Sequence, residues 1–301
     1  RTTSSIRNLL ILKENYSIMK AILRGKVVYC NCDDPLTSNF FRYFVSNFKE
    51  LGLKKVIASC YKENSRGFFF EYTGVELVDA DPKTANVVYF NGDGDFRSQE
   101  SIDLLEQSDI VVTNPPFSLF REYMTQLIRY DKLFLIIGNI NSITNKEIFK
   151  LVQEGKAWLG VNRGNGFSGF TIPAHYEPYM KKTWMDESGN IITPTNNCLW
   201  LTNLNHSMRH EDIPLTKNYY GHEHEYPKYD NYDGINVDSV KDIPRDYNGC
   251  MGVPVTFLYK FNPRQFEIVT SRRGDDGKYL SVNGEQTYFR MIIKKKQTMS
   301  K

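Results

Sequence analysis

Short apolar runs that stop at polar turn clusters constrain this chain more than any other feature. Val27 to Cys30 gives way to Asn31-Cys32-Asp33-Asp34-Pro35, Ile110-Val111-Val112 runs into Thr113-Asn114-Pro115-Pro116, and residues 133–137 end at Gly138-Asn139. Each run is β-branched or aromatic, bounded by turn formers and too short for a helix, which predicts buried strands. Val56-Ile57-Ala58, after Gly52, predicts another. Between the runs lie stripes at helical spacing. Phe40, Phe41, Phe44, Phe48 and Leu51 form one, stopped by Gly52. Ile102, Leu104 and Leu105 form a second, with Ser101 read as its N-cap, and Phe120, Tyr123, Met124, Leu127 and Ile128 form a third. Strands alternating with helices predict βαβ units and an α/β fold with a mostly parallel sheet, whose ligands bind beyond the carboxyl ends of the strands.

After Leu151 the pattern changes. Trp158-Leu159-Gly160-Val161 and Leu199-Trp200-Leu201-Thr202 predict two strands that close the sheet, separated by a Gly/Asn-rich stretch (162–169) and a polar segment (176–197). Residues 206–246 are dominated by Tyr, Asp, Asn and His with little periodicity. A terminal hairpin is predicted from residues 279–282, the turn signal Asn283-Gly284 and residues 288–293. The chain thus divides into an amino-terminal arm (1–19), a core (20–205) and a carboxyl-terminal region (206–301), with no internal repeat.

Composition narrows the function classes without choosing among them. A hydrophobic content of 41% over 301 residues is ample for a buried core, and a formal net charge of +3 means that any basic surface must be local. Five scattered cysteines, with Cys30-Asn31-Cys32 the one close pair, match no zinc-ligand spacing and read as packed thiols in a reducing compartment. No apolar run is long enough to span a bilayer, and the patch within residues 1–12 is too short and interrupted for a signal peptide. These features predict a soluble, cytoplasmic protein, acting as a monomer, without a metal.

The densest chemistry lies in Asn114-Pro115-Pro116-Phe117. Asn-Pro-Pro is by itself a turn signal, but here it stands at the carboxyl end of a buried strand with an aromatic directly after it. An adenine amino nitrogen has its lone pair delocalised into the ring and is a poor nucleophile. Acceptors on its two hydrogens pull it towards tetrahedral geometry and localise that pair. The Asn114 carboxamide oxygen and the Pro115 carbonyl are suited to this, the two prolines stiffen the loop, and Phe117 can stack on a base swung out of a duplex. Orientation and electrostatics would carry such a reaction without a general base.

Asn-Pro-Pro-Phe resembles the catalytic motif of amino-directed methyltransferases, and a longer ordered set extends the likeness. Residues 27–35 (Val-Val-Tyr-Cys-Asn-Cys-Asp-Asp-Pro), 92–97 (Gly-Asp-Gly-Asp-Phe-Arg), 113–122, 226–232 (Tyr-Pro-Lys-Tyr-Asp-Asn-Tyr) and 251–254 (Met-Gly-Val-Pro) resemble the EcoRI-type adenine-specific DNA methyltransferase family. The resemblance implies a class I, Rossmann-like methyltransferase fold with a carboxyl-terminal DNA-recognition region. It implies S-adenosylmethionine as donor, double-stranded DNA as substrate, methylation at adenine N6 and a companion restriction endonuclease. Residues 20–205 would be the catalytic core and 206–301 the target-recognition region.

The same resemblance places the cofactor at Asn31 and Asp33, with Asp33 for its cationic amino group, although Asp33 or Asp34 could instead cap a helix before Pro35. It also places Asp93 or Asp95, with Phe96, beside the cofactor's adenine. A calcium loop fails there, because Phe96 stands where its glycine belongs and Ile102 where its glutamate belongs. Glu63 is the one acid near the end of the second strand for ribose hydroxyls. Lys181-Lys182, Arg272-Arg273 and Lys294-Lys295-Lys296 are candidate phosphate contacts, and the Tyr/Asn/Asp/His-rich region has the makeup of a base-reading surface. His222 and His224 lack a third ligand and read as an exposed loop. Family members carry Asp-Glu-Phe-Tyr-Thr shortly before the first strand to help hold the cofactor; residues 1–12 do not match it, which predicts weak cofactor binding. Two other readings are a methyltransferase acting on RNA or a protein amide, and a catalytically impaired remnant that only binds DNA.

Overall fold

The structure, a computed structural model, describes residues 16–74, 87–160, 170–172, 183–185, 189, 191–193, 198–271 and 273–296. Residues 1–12, the stretch 162–169, Lys181-Lys182 and Arg272 lie outside the described residues, as does most of the polar segment 176–197. The chain divides into two compact units, Arg1–Ile143 with Leu159–Leu204, and Thr144–Trp158 with Asn205–Lys301.

The first unit is built on an eight-stranded sheet. Its elements in chain order begin with α1 (Tyr16–Leu23), β1 (Val27–Cys30), α2 (Asn39–Ser46), α3 (Phe48–Leu51), β2 (Lys55–Cys60), β3 (Phe68–Tyr72) and β4 (Val88–Tyr89). There follow α4 (Gln99–Gln107), β5 (Ile110–Thr113), α5 (Phe120–Arg129), β6 (Leu133–Asn139), β7 (Trp158–Leu159) and β11 (Cys198–Thr202). Between the last two, β8 (Phe170–Ile172), β9 (Trp184–Met185) and β10 (Ile191–Thr193) form a separate antiparallel sheet in the order β8-β10-β9.

The main sheet runs β4-β3-β2-β1-β5-β6-β11-β7. Its centre is parallel: Val28 pairs with Val56 on one side and Ile110 on the other, and Ile110 pairs in turn with Leu133. The predicted parallel character holds for these four strands, while β3, β4 and β11 are antiparallel to their neighbours. The link between β2 and β3 covers only residues 61–67, too short for the crossover that a parallel return needs. Between β1 and β5 the strand order reverses direction, and such a switch point leaves a crevice beyond the carboxyl ends.

Strand residues 27–30 and 110–113 are buried throughout, as expected for a parallel sheet covered on both faces. The stripe on residues 40–51 supplies much of that cover, with Phe40 and Phe44 sealed beside Val28, Val56 and Trp200. Burying each such ring stabilises the fold by roughly 1.5–3 kcal/mol. The stripe is not one helix, however. Asn47 donates through Nδ2 to the Tyr43 carbonyl at 2.8 Å and ends α2, and α3 then runs to a left-handed Gly52. The predicted cap of α4 is also displaced: Ser98, not Ser101, is the N-cap, and its Oγ accepts from the Ser101 N–H at 3.3 Å.

The second unit contains α6 (Lys146–Gln153) and a four-stranded sheet in the order β12 (Gly234–Asn236), β13 (Cys250–Pro254), β17 (Arg290–Lys295), β14 (Phe266–Ser271). Gln153 donates to the Ile268 and Val269 carbonyls at 3.2 and 2.6 Å, tying α6 to β14. The Asn283-Gly284 turn is present, both residues at positive φ (51° and 79°), between β15 (Ser281–Val282) and β16 (Glu285–Gln286). The predicted second arm, residues 288–293, does not belong to that hairpin. Most of it is β17, between β13 and β14, where Met291, Ile292 and Ile293 are buried. Among the described residues no helix is long and apolar enough to cross a membrane.

Candidate active site

Three loops meet at the carboxyl ends of β1, β2 and β5. The first follows β1. Asn31 is buried, and its Oδ1 accepts from the Cys32 N–H at 2.8 Å and the Ser59 hydroxyl at 3.3 Å. Its Nδ2 is sealed from solvent without an acceptor. Cys32 takes a left-handed φ of 62°, the conformation a glycine usually supplies after the first strand of such folds, which explains a tight turn without glycine. The backbone N–H of Asp33 donates to Ser59 O at 3.0 Å, anchoring the loop on β2.

The two aspartates that follow have separate roles. Asp34 is the turn-forming residue: its carboxylate accepts from the Leu36 N–H at 3.0 Å and pairs with Lys62 at 3.1 Å. The cap of α2 is Ser38, so neither aspartate caps that helix. Asp33 meets no cation among the described residues. Its Oδ2 lies 3.0 Å from the Thr113 hydroxyl, which also contacts the Asn31 carbonyl. Burial pushes the Asp33 carboxyl up to about 8, against the pull of the Thr113 and Ser38 hydroxyls.

The second loop, residues 91–96, docks on the end of β2. The Lys62 N–H donates to Asp93 O at 2.9 Å and the Gly67 N–H to Gly92 O at 3.0 Å. A Cβ on Gly67 would stand 2.4 Å from Asp93 O and 2.7 Å from Cys60 O, so only glycine permits this approach. Glu100 holds the other side, accepting from the Asn91 and Gly92 N–H groups at 2.9 and 3.1 Å. Asp95 is committed to Arg97 through paired bonds of 2.9 and 2.8 Å, which hold its carboxyl below the usual range. Among the described residues Asp93 accepts only the Asp95 N–H, at 3.0 Å, through one of its two carboxylate oxygens. Phe96 is buried, with its ring edge-on to Tyr123 at 5.0 Å.

The third loop follows β5. Asn114 Oδ1 is buried and accepts no hydrogen bond. Among the described residues nothing donates to the Pro115 carbonyl either. Pro115 is buried, Pro116 is exposed, and Phe117 opens a single 3₁₀ turn with 46% of its surface exposed. Two acceptors and an aromatic face are thus left without partners in one rigid loop. Thr113 ties this loop to the first one; the sequence placed it at the end of an apolar strand and at the start of the 113–122 segment but gave it no role of its own. Ser59 and Glu100 were missed, and Arg97, although it closes the 92–97 segment, was given no role, because each acts through loop geometry.

Other predicted residues sit elsewhere. Glu63 is exposed in the β2–β3 link. In the second unit the Arg273 guanidinium lies over the Tyr279 ring and donates to Gly277 O at 3.0 Å. Lys296 donates to Pro263 O at 2.7 Å, Lys295 to the Arg245 carbonyl, and Lys294 is exposed. Tyr226 and Tyr229, expected on a base-reading surface, are buried; Gly252 leaves the space that the Tyr229 hydroxyl fills. Tyr220 and Tyr288 are exposed. His222 bonds Glu225 at 3.2 Å in an exposed turn.

A family model described as "Adenine-specific methyltransferase EcoRI" matches residues 10–301. The type II methyltransferase M.EcoRI of Escherichia coli is 61% identical over 285 residues, covering 90% of this chain and 86% of its own. The type II methyltransferases M.MpnI of Mycoplasma pneumoniae and M.MgeORF184P of Mycoplasma genitalium are each 36% identical, covering 92% and 91% of this chain and 89% of theirs. No solved structure matches the chain. With a matching model over nearly its whole length and an α/β sheet that carries Asn-Pro-Pro-Phe at a strand end, the chain belongs to the EcoRI family of adenine-specific methyltransferases.

Proposed function

We propose that the protein transfers a methyl group from S-adenosylmethionine to the N6 amino group of adenine within a specific double-stranded DNA sequence, as the modification partner of a restriction endonuclease. One observation carries this reading: the Asn114 carboxamide oxygen is buried, unpartnered and next to a rigid Pro-Pro-Phe turn. An acceptor kept dry and unused has been desolvated in advance of the donor it will meet. The Asn114 oxygen and the Pro115 carbonyl accept the two amino hydrogens, leaving the nitrogen lone pair free to attack. Phe117 holds the extruded base by its face.

The first loop fits the amino-acid end of the cofactor. The unsatisfied Asn31 Nδ2 is a donor suited to a carboxylate, and the cation-free Asp33 an acceptor suited to an ammonium. Asp93, with its uncommitted oxygen, suits the adenosine end better than Asp95, and Phe96 with Tyr123 forms an apolar wall beside it. S-adenosylmethionine, when bound, supplies an electrophilic methyl group. The second unit, with its exposed Tyr220 and Tyr288, is the proposed target reader. The reading is tested by incubating the protein with methyl-labelled S-adenosylmethionine and duplex DNA, then hydrolysing the DNA to nucleosides. Label in N6-methyl-2′-deoxyadenosine, from duplexes of one sequence context, supports it; label confined to deoxycytidine, or no label in DNA, would refute it.

A further inference from the structure

We propose that Asp33 holds a proton in the ligand-free chain, that the ammonium group of S-adenosylmethionine expels it, and that Thr113 is a positioning residue carrying the change to the Asn114 loop. The inference rests on the reading of residues 31–35 as the cofactor loop.

The geometry turns on one hydrogen. The Thr113 hydroxyl touches two oxygens, the Asn31 carbonyl and Asp33 Oδ2, but it has a single hydrogen to donate. When it donates to Asn31, the Asp33 contact at 3.0 Å sets lone pair against lone pair unless Asp33 brings its own hydrogen. A neutral Asp33 does so: its acid O–H donates to Thr113 Oγ1, and Thr113 donates to Asn31. When Asp33 is ionised, the hydroxyl turns towards it and the Asn31 carbonyl loses its donor. The two protonation states of Asp33 are therefore two orientations of Thr113, and the next residue is Asn114.

The surroundings favour the neutral state without ligand. Asp33 is faced by Cys30 from the end of β1, Cys32 and Asp34 from its own loop, Ser38 from the start of α2, Thr113 from β5 and Tyr123 from α5. None is a cation, and Lys62 is committed to Asp34 at 3.1 Å. Burial pushes the Cys30, Cys32 and Tyr123 groups up, so all three stay neutral, and it raises Asp33 to about 8. An ammonium at Asp33 stabilises its carboxylate and lowers that value, so the proton leaves to the buffer on binding. The folded, ligand-free chain holds the proton below pH 8, and affinity for the cofactor falls as pH falls. At pH 7 most of one proton is released per cofactor bound, and binding at pH 6 is at least about 10-fold weaker than at pH 8, because the cofactor's own ammonium begins to lose its proton near pH 8.

Calorimetry on the full chain at pH 7, in two buffers of different ionisation enthalpy, reads the proton directly. Three probes separate the sources: S-adenosylmethionine, S-adenosylhomocysteine, which keeps the ammonium without the sulfonium charge, and 5′-methylthioadenosine, which lacks the amino-acid portion. Release of nearly one proton with the first two and none with the third is the expected result. Binding of S-adenosylmethionine without proton exchange, or equal release with all three, overturns the inference while leaving the cofactor reading intact; no binding by any probe overturns both. Infrared difference spectra of the ligand-free chain between pH 6 and pH 10 should show a carboxylic acid band that Asp33→Asn removes, and its absence from the native chain counts against the proposal. For Thr113, the near-isosteric Thr113→Val should keep the proton release yet lower kcat at least about 10-fold, with KM for the cofactor changed less than about 3-fold, and Thr113→Ser should restore kcat. A Val variant with native kcat overturns the positioning role.

Discussion

Phe117 shows how much a single residue's surroundings decide. In the sequence it is an aromatic after a turn, as suited to a core as to a base. Its 46% exposure, against the near-complete burial of Phe120 three residues on, leaves its face free. Stacking on an extrahelical base is worth roughly 1–3 kcal/mol, so Phe117→Ala should weaken productive DNA binding about 5- to 150-fold and leave the melting temperature almost unchanged. Phe117→Trp should be far milder. A large drop in melting temperature with unaltered DNA kinetics would return the residue to the core. Asn114 and Asp33 were legible by type and place. Their most informative properties, an unpartnered oxygen and a carboxyl without a cation, exist only once neighbouring strands bring Thr113, Ser59 and Asn31 together.

Among the elements, the contact between the β2–β3 link and the 91–96 loop makes the sharpest demand. Gly67 has no room for a Cβ between two backbone carbonyls, neither of which can move independently of its strand or loop. Gly67→Ala should push the loop carrying Asp93 and Phe96 off β2, raising the dissociation constant for S-adenosylmethionine at least about 10-fold while the protein remains folded, since the clash is confined to one loop. An unchanged constant would detach this loop from the cofactor. Such a contact joins distant segments and has no local signature. The buried runs of β1, β5 and β6 were legible because parallel strands covered on both faces are continuously apolar. β3 and β4 were not, since Phe68-Phe69-Phe70 lacks alternation and Val88–Tyr89 is an exposed edge. β17 was seen as apolar but given the wrong partner, because choice of partner is settled by β13 and β14 far along the chain. The start of α4 was read at Ser101, three residues late, because only the fold shows that Ser101 is buried with its hydroxyl on Gly94 O while Ser98 takes the cap.

At the scale of the whole molecule, residues 144–158 belong with the carboxyl-terminal segment although they precede β11 in the chain. A chain ending at Leu204 would lack β14, which α6 contacts, while keeping the α6 residues Ile148, Phe149 and Val152 that are buried in the intact chain. It should therefore bind a hydrophobic dye and aggregate, whereas a chain that also lacks residues 144–158, bridged by a short linker, should do so less. Equal behaviour of the two would show that α6 does not depend on the later segment. In the proposed reaction the Asn114 oxygen acts on the amine that receives the methyl group. The most direct measurement compares native protein and Asn114→Ala in single-turnover methyl transfer to duplex DNA, with cofactor affinity measured on both by calorimetry. The predicted result is a loss of transfer of at least about 100-fold with cofactor affinity within about 3-fold of native; an Asn114→Ala protein that methylates adenine at close to the native rate would contradict it.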